Sequence, residues 1–211
     1  MSGLGMGLLQ ATAAEDPPTT ITLLAYGDSL IHGYGLPSGK TLPEQLEQAL
    51  REEGWRVKVV NGGNSGDTTA SGLARLDWTL GEHTDAVLLS LGANDGLRGL
   101  SPQDTEANLR QIIERLQARD IPVLLAGMMA PRNLGPDYAE EFDPLYPRLA
   151  QDYALDFTPF LLEGVALVPE LNQADGIHPN PQGVEVIVET LMPATRALLR
   201  DIAHRQAQDP S

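Results

Sequence analysis

The sequence predicts an α/β fold, a doubly wound parallel sheet flanked by helices, and two observations predict it. Short apolar runs rich in Val, Leu and Ile recur without strict alternation, as strands buried on both faces require. Between them lie longer segments whose apolar residues fall at helical spacing. The first strand is expected over residues 21–26, and the first helix over 42–53, with Gly54 as its stop. A second strand follows at 57–60, then a helix over 68–80 for which Asp67 is a suitable cap. Residues 86–91 form the third apolar run. In the next helix, 101–119, Leu109, Ile112, Ile113 and Leu116 share one face, and Ser101-Pro102 supplies N-cap and first turn. A fourth strand at 123–127, a helix over 136–153, a weak strand near 155–157 and a last helix over 181–203 complete the series.

A chain of 211 residues can bury one sizeable core, so a single domain is expected over 21–203, with tails at 1–20 and 204–211. The N-terminal tail reads as flexible chain or as the remnant of a signal or expression leader. Ala11-Thr12-Ala13 resembles a signal-peptidase site, but no Lys or Arg precedes it. A periplasmic or secreted location is expected from it. With 29 acidic against 14 basic residues the net charge is -15, and only Lys40 and Lys58 are lysines. Such a surface repels phosphate backbones and argues against a nucleic-acid partner. There is no cysteine, which removes disulfides, thiolate metal sites and cysteine nucleophiles. No apolar run approaches the length that spans a bilayer, so no stable membrane anchoring is expected. The oligomeric state is not legible.

Four polar segments follow the strands, and in an α/β sheet ligands bind beyond the strands' carboxyl ends. After the first comes Gly27-Asp28-Ser29-Leu30, which places a hydroxyl where a buried strand gives way to a turn or helix. The Ser29 amide near a helix start can also donate to a developing oxyanion. After the second, Asn61 to Thr68 is glycine-rich, and Gly66 can offer its amide to a ligand. The Gly-x-Ser-x-Gly elbow fails here, because residue 67 is Asp. After the third, Gly92-Ala93-Asn94-Asp95-Gly96 presents the Asn94 amide as a neutral donor. Before the last helix, Asp175-Gly176-Ile177-His178-Pro179 sets an acid three residues from an imidazole. A compact turn can bring Asp175 to His178 Nδ1 and leave Nε2 free to take a proton from a serine. Each segment alone is equally a turn built from favoured turn residues. It is their joint placement that points to catalysis, because a neutral serine needs a base and a tetrahedral intermediate needs preorganised donors.

On these motifs the sequence resembles the SGNH (GDSL) hydrolase family, and within it the bacterial thioesterase I/lysophospholipase/arylesterase group. The matching residues run from Gly27-Asp28-Ser29-Leu30 through Gly66 and Gly92-Ala93-Asn94-Asp95 to Asp175-Gly176-Ile177-His178-Pro179, nearly the whole chain after the tail. The resemblance implies a three-layer, flavodoxin-like sheet of about five parallel strands. It implies Ser29 as nucleophile, His178 as base, Asp175 as its orienter, and an oxyanion hole of the Ser29 and Gly66 amides with the Asn94 side chain. The run Asn94-Asp95-Gly96-Leu97-Arg98-Gly99 is similar to the subgroup in particular and favours acyl thioesters, aryl esters and lysophospholipids over acetylated sugars. Ala93 departs from a second glycine common in relatives, which puts the backbone beside Asn94 in question.

The reaction so implied is hydrolysis of a small acyl ester or thioester through an acyl-enzyme on Ser29, rising with pH through about 6 to 7.5 as the base becomes neutral imidazole. It requires no metal and no organic cofactor. Candidates for the acyl cleft and substrate contacts are Asp28, Leu97, Met128, Met129 and Leu134, with Leu100, Phe142 and Leu145 behind them; core packing is the competing role for each apolar one. The rival readings are an acetylesterase using the same residues, a flavodoxin-like binding module without catalysis, and a metal phosphoesterase built on Asp28, Asp95, Asp175 and His178.

Overall fold

A computed structural model of the chain describes residues 20–81 and 83–208. The tail expected at 1–20 lies outside the described residues but for its last, and so do residues 209–211. Five strands form one sheet in the order β2-β1-β3-β4-β5: β1 (Ile21–Gly27), β2 (Val57–Gly63), β3 (Ala86–Ser90), β4 (Val123–Ala126) and β5 (Asp156–Thr158). Every pairing is parallel. This is the flavodoxin-like order, in which the direction of winding reverses between β1 and β3. The crevice at that reversal is where the fold places a ligand.

The helices are α1 (Ser29–His32), α2 (Leu42–Glu52), α3 (Thr69–Thr79), α4 (Ala93–Leu97), α5 (Pro102–Gln117), α6 (Pro136–Phe142), α7 (Leu145–Asp152) and α8 (Pro181–Gln208). Packing of α2 on α8, and of α3 and α7 on α5, makes a helical layer on each face of the sheet. Burial follows: Leu23, Leu24, Val87, Leu88, Leu124 and Leu125 are all inaccessible, and so is the predicted face of α5.

Local chemistry fixes the ends of these elements. At the end of α2 the chain turns at Gly54, with φ +90°. The Gly54 amide donates to Arg51 O and the Trp55 amide to Leu50 O, a Schellman closure that seats Trp55 partly against the core. Ser101 caps α5 by accepting from Asp104 N at 3.1 Å. Helix α3 is capped by Thr68, whose Oγ1 accepts from Ser71 N, and not by the expected Asp67, which serves the neighbouring turn. Trp78, in the last turn of α3, stands 93% exposed.

Two expectations of extent are corrected. The single helix over 136–153 is two, α6 and α7, because Pro144 has no amide to carry the hydrogen-bond ladder across the junction. The last helix continues past residue 203 through the expected C-terminal tail to Gln208, with Ile202 still buried. The short α1 and α4 were not legible as helices, since elements of four and five residues carry no periodicity.

Candidate active site

Strand β1 ends at Gly27, and Asp28 caps α1 by accepting from Leu30 N at 3.0 Å. Ser29 is thus the first residue of a helical turn, where an amide has no intrahelical acceptor. The Ser29 hydroxyl lies 2.9 Å from His178 Nε2, and His178 Nδ1 lies 2.7 Å from Asp175 Oδ2. The other Asp175 oxygen accepts from the amides of Ile177 and His178, both at 3.0 Å. These bonds, the His178 amide foremost, hold the Asp175 carboxyl down at about 2. An ionised Asp175 fixes the proton of the imidazole on Nδ1 and leaves Nε2 as acceptor toward Ser29.

The loop itself is tied down. Gln173 N donates to His178 O, and Gln173 Nε2 reaches Tyr34 O at 2.8 Å and Pro179 O at 3.0 Å. The Tyr34 ring rests on the imidazole with centroids 4.7 Å apart.

Gly66 occupies the third position of a tight turn in which Asp67 N donates to Asn64 O, and its φ of +87° is the left-handed value that glycine adopts without strain. Asp67 accepts from Asn64 Nδ2 at 2.7 Å and pairs with Arg75. Arg75 also donates to Gly62 O at 2.9 Å and Gly27 O at 2.8 Å, and covers the Tyr26 ring. One arginine so fastens the ends of β1 and β2 to the Gly66 turn.

Asn94 is on α4, and its Nδ2 donates to Asp67 O at 3.0 Å and faces Asp28 Oδ2 at 3.4 Å. The turn into α4 is made by Gly92, at φ +112°, where a Cβ would stand 2.0 Å from Tyr146 Oη. Ala93 is already helical, so its departure from glycine is absorbed without cost. The buried Asp95 accepts from Thr69 N and from the Thr69 and Thr105 hydroxyls, joining α4 to α3 and α5.

The structure therefore brings Ser29, Gly66, Asn94, Asp175 and His178 to the carboxyl edge of the sheet. Two other candidates are closed off from solvent: Asp28 is fully buried, with its oxygens turned to Leu30 N and Asn94, and Met128 is buried in the core. Phe142 and Leu145 are also core residues, Phe142 stacking on Tyr138 and meeting Tyr146 edge to face. Leu97, Leu100 and Met129 are exposed, and Leu134 is half-buried. A cavity of about 640 Å³ beside β5 and α8, lined by Phe157, Thr158 and Pro193 among others, includes none of the site residues. Among the described residues no three His, Asp or Glu side chains converge on a point where a metal ion would sit, and Asp95 spends its oxygens on Thr69 and Thr105.

Sequence reasoning did not assign Arg75, Tyr34, Gln173 or Arg98, whose Nη2 donates to Gly66 O at 2.9 Å. Arg98 stood in a quoted motif; the others act through separations that no local pattern reveals.

A model of the GDSL-like lipase/acylhydrolase family matches residues 25–186. An arylesterase of Vibrio mimicus is 44% identical over 168 residues, covering 79% of this chain and 84% of that protein. The thioesterase 1/protease 1/lysophospholipase L1 of Escherichia coli K12 is 44% identical over 162 residues, 75% of this chain and 76% of that one. A crystal structure of TesA superposes with a TM-score of 0.80 at 39% identity, covering 84% of this chain and 99% of that one.

Proposed function

The chain belongs to the GDSL-like lipase/acylhydrolase family and is a carboxylic ester hydrolase, and on that premise we propose that it works through an acyl-enzyme on Ser29. His178 Nε2 takes the hydroxyl proton as Ser29 Oγ attacks the acyl carbonyl. The Ser29 and Gly66 amides and the Asn94 side chain receive the oxyanion. His178 then gives its proton to the departing alcohol or thiol, and water repeats the sequence to release the acid. Asp175 orients the imidazole and stabilises its charged form. The observation that carries this reading is the unbroken line from Ser29 Oγ through His178 to Asp175, at 2.9 and 2.7 Å.

The substrate is a small acyl ester or thioester, with the acyl chain lying along Leu97, Leu100, Met129 and Leu134. The periplasmic or secreted reading rests on Ala11-Thr12-Ala13. Among the described residues no helix is long and apolar enough to cross a membrane.

Labelling with a fluorophosphonate probe tests the nucleophile. Wild type should take one label, mapped to the peptide carrying Ser29, and Ser29→Ala should take none while losing about 10³-fold or more in kcat. A label on another serine, or an active but unlabelled preparation, overturns the reading.

A further inference from the structure

Asp28 is the charged group nearest Ser29 in sequence, and it is fully buried. A turn cap requires one acceptor, which asparagine or serine provides as well as aspartate does. Asp28 has two: Oδ1 holds Leu30 N at 3.0 Å, and Oδ2 faces Asn94 Nδ2 at 3.4 Å. The Asn94 amide has two hydrogens, and one is committed to Asp67 O at 3.0 Å. The second faces Asp28 Oδ2. At 3.4 Å the contact with Asp28 is longer than an ordinary hydrogen bond, weak enough to yield this hydrogen to a stronger acceptor.

We propose that Asp28 is a positioning residue for the oxyanion hole: its carboxylate spans from the turn that presents the Ser29 amide to the Asn94 side chain, and sets both donors on one oxygen. The proposal rests on the reading of Ser29 as nucleophile and Asn94 as oxyanion donor. Keeping a carboxylate here works against burial, which pushes Asp28 up to about 6 in spite of the Leu30 amide, His178 and Asn94. Asp67 adds a like charge, and buried Tyr146 also senses Asp28. A neutral cap would avoid that cost, so the second oxygen is what aspartate adds.

Asp28→Asn is nearly isosteric but supplies one acceptor where the carboxylate supplies two. Either the turn or Asn94 must then lose its partner. The experiment measures kcat and KM on a p-nitrophenyl acyl ester for wild type, D28N, N94A and D28N/N94A, with D28S as a second variant that keeps a cap acceptor alone. Thermal melts normalise each rate to folded protein. N94A should lose about 10²- to 10³-fold in kcat. D28N and D28S should lose about 10-fold or more in kcat with KM within about twofold, and D28N/N94A should match N94A within about threefold, because the effect of Asp28 passes through Asn94. Losses that multiply in the double variant, or a D28N loss confined to KM, overturn the role of Asp28 and leave the serine mechanism standing. Full activity in N94A sinks the Asn94 assignment and this inference together, whereas a failure to label Ser29 sinks the parent reading.

Discussion

Asp175 accepts from one ring nitrogen and two amides of its own loop, an arrangement that an amide side chain cannot reproduce. In Asp175→Asn the new NH₂ would face His178 Nδ1 and favour the tautomer with its proton on Nε2, the wrong atom for receiving the Ser29 proton. We expect kcat to fall about 10²- to 10⁴-fold near pH 7 with the fold intact. The same bonds have a pH signature. Because they depress the folded-state carboxyl to about 2, the stability they contribute is complete above the ordinary aspartate value near 4 and is lost as pH falls through 2. Urea titrations should therefore show the gap between wild type and Asp175→Asn closing between about pH 4 and 2, and a gap that stays constant across that range would refute this origin. Ser29, Asp175 and His178 were legible because each stands in a short motif of unusual chemistry. The orientation of Asp28 was not legible, because a motif does not state which way a side chain turns, and here it turns inward.

Among the elements, α4 shows how a backbone conformation is made to serve a side chain. Asn94 is placed by a turn whose left-handed residue, Gly92, packs against Tyr146 Oη, itself bonded to Leu91 O. Gly92→Ala should lower stability by about 2 kcal/mol or more, from strain and overlap together, and should cost kcat through displaced Asn94. Gly54→Ala makes the control. Its φ of +90° is just as unfavourable to alanine, but a Cβ there meets nothing within 4 Å, so about 1 kcal/mol should be lost with kcat unchanged. Thermal melts with initial rates separate the two, and equal kcat losses would contradict this assignment. The long strands and helices were legible from periodicity. Their junctions were less so: Pro144 lies in a segment whose apolar spacing runs straight through the break, and Thr68 displaces Asp67 as a cap because Arg75, eight residues on, claims the acid.

For the whole molecule, the strand order 2-1-3-4-5 brings segments far apart in sequence to one edge, because parallel strands all end on the same side. Alternation of strand and helix foretold that much. It did not foretell the tie that Arg75 makes between β1, β2 and the Gly66 turn, which depends on packing alone. At this edge Leu97 and Met129 are exposed on a chain of net charge -15, where an acyl chain would gain from covering them. Replacing both with serine should leave stability within about 0.5 kcal/mol and reduce the octanoyl-to-acetyl ratio of kcat/KM about tenfold. An equal loss for both esters would deny them the acyl chain. The opposite edge holds both tryptophans of the chain, Trp55 leading into β2 and Trp78 ending α3, about 20 Å of strand away from Ser29. Trp78 is bathed in water whether the sheet is formed or not, while Trp55, half-buried against the core, gains exposure when the sheet opens. Intrinsic ultraviolet emission from this protein is therefore a gauge of folding, carried by one indole over a steady background from the other, and turnover at the far rim passes beneath its notice.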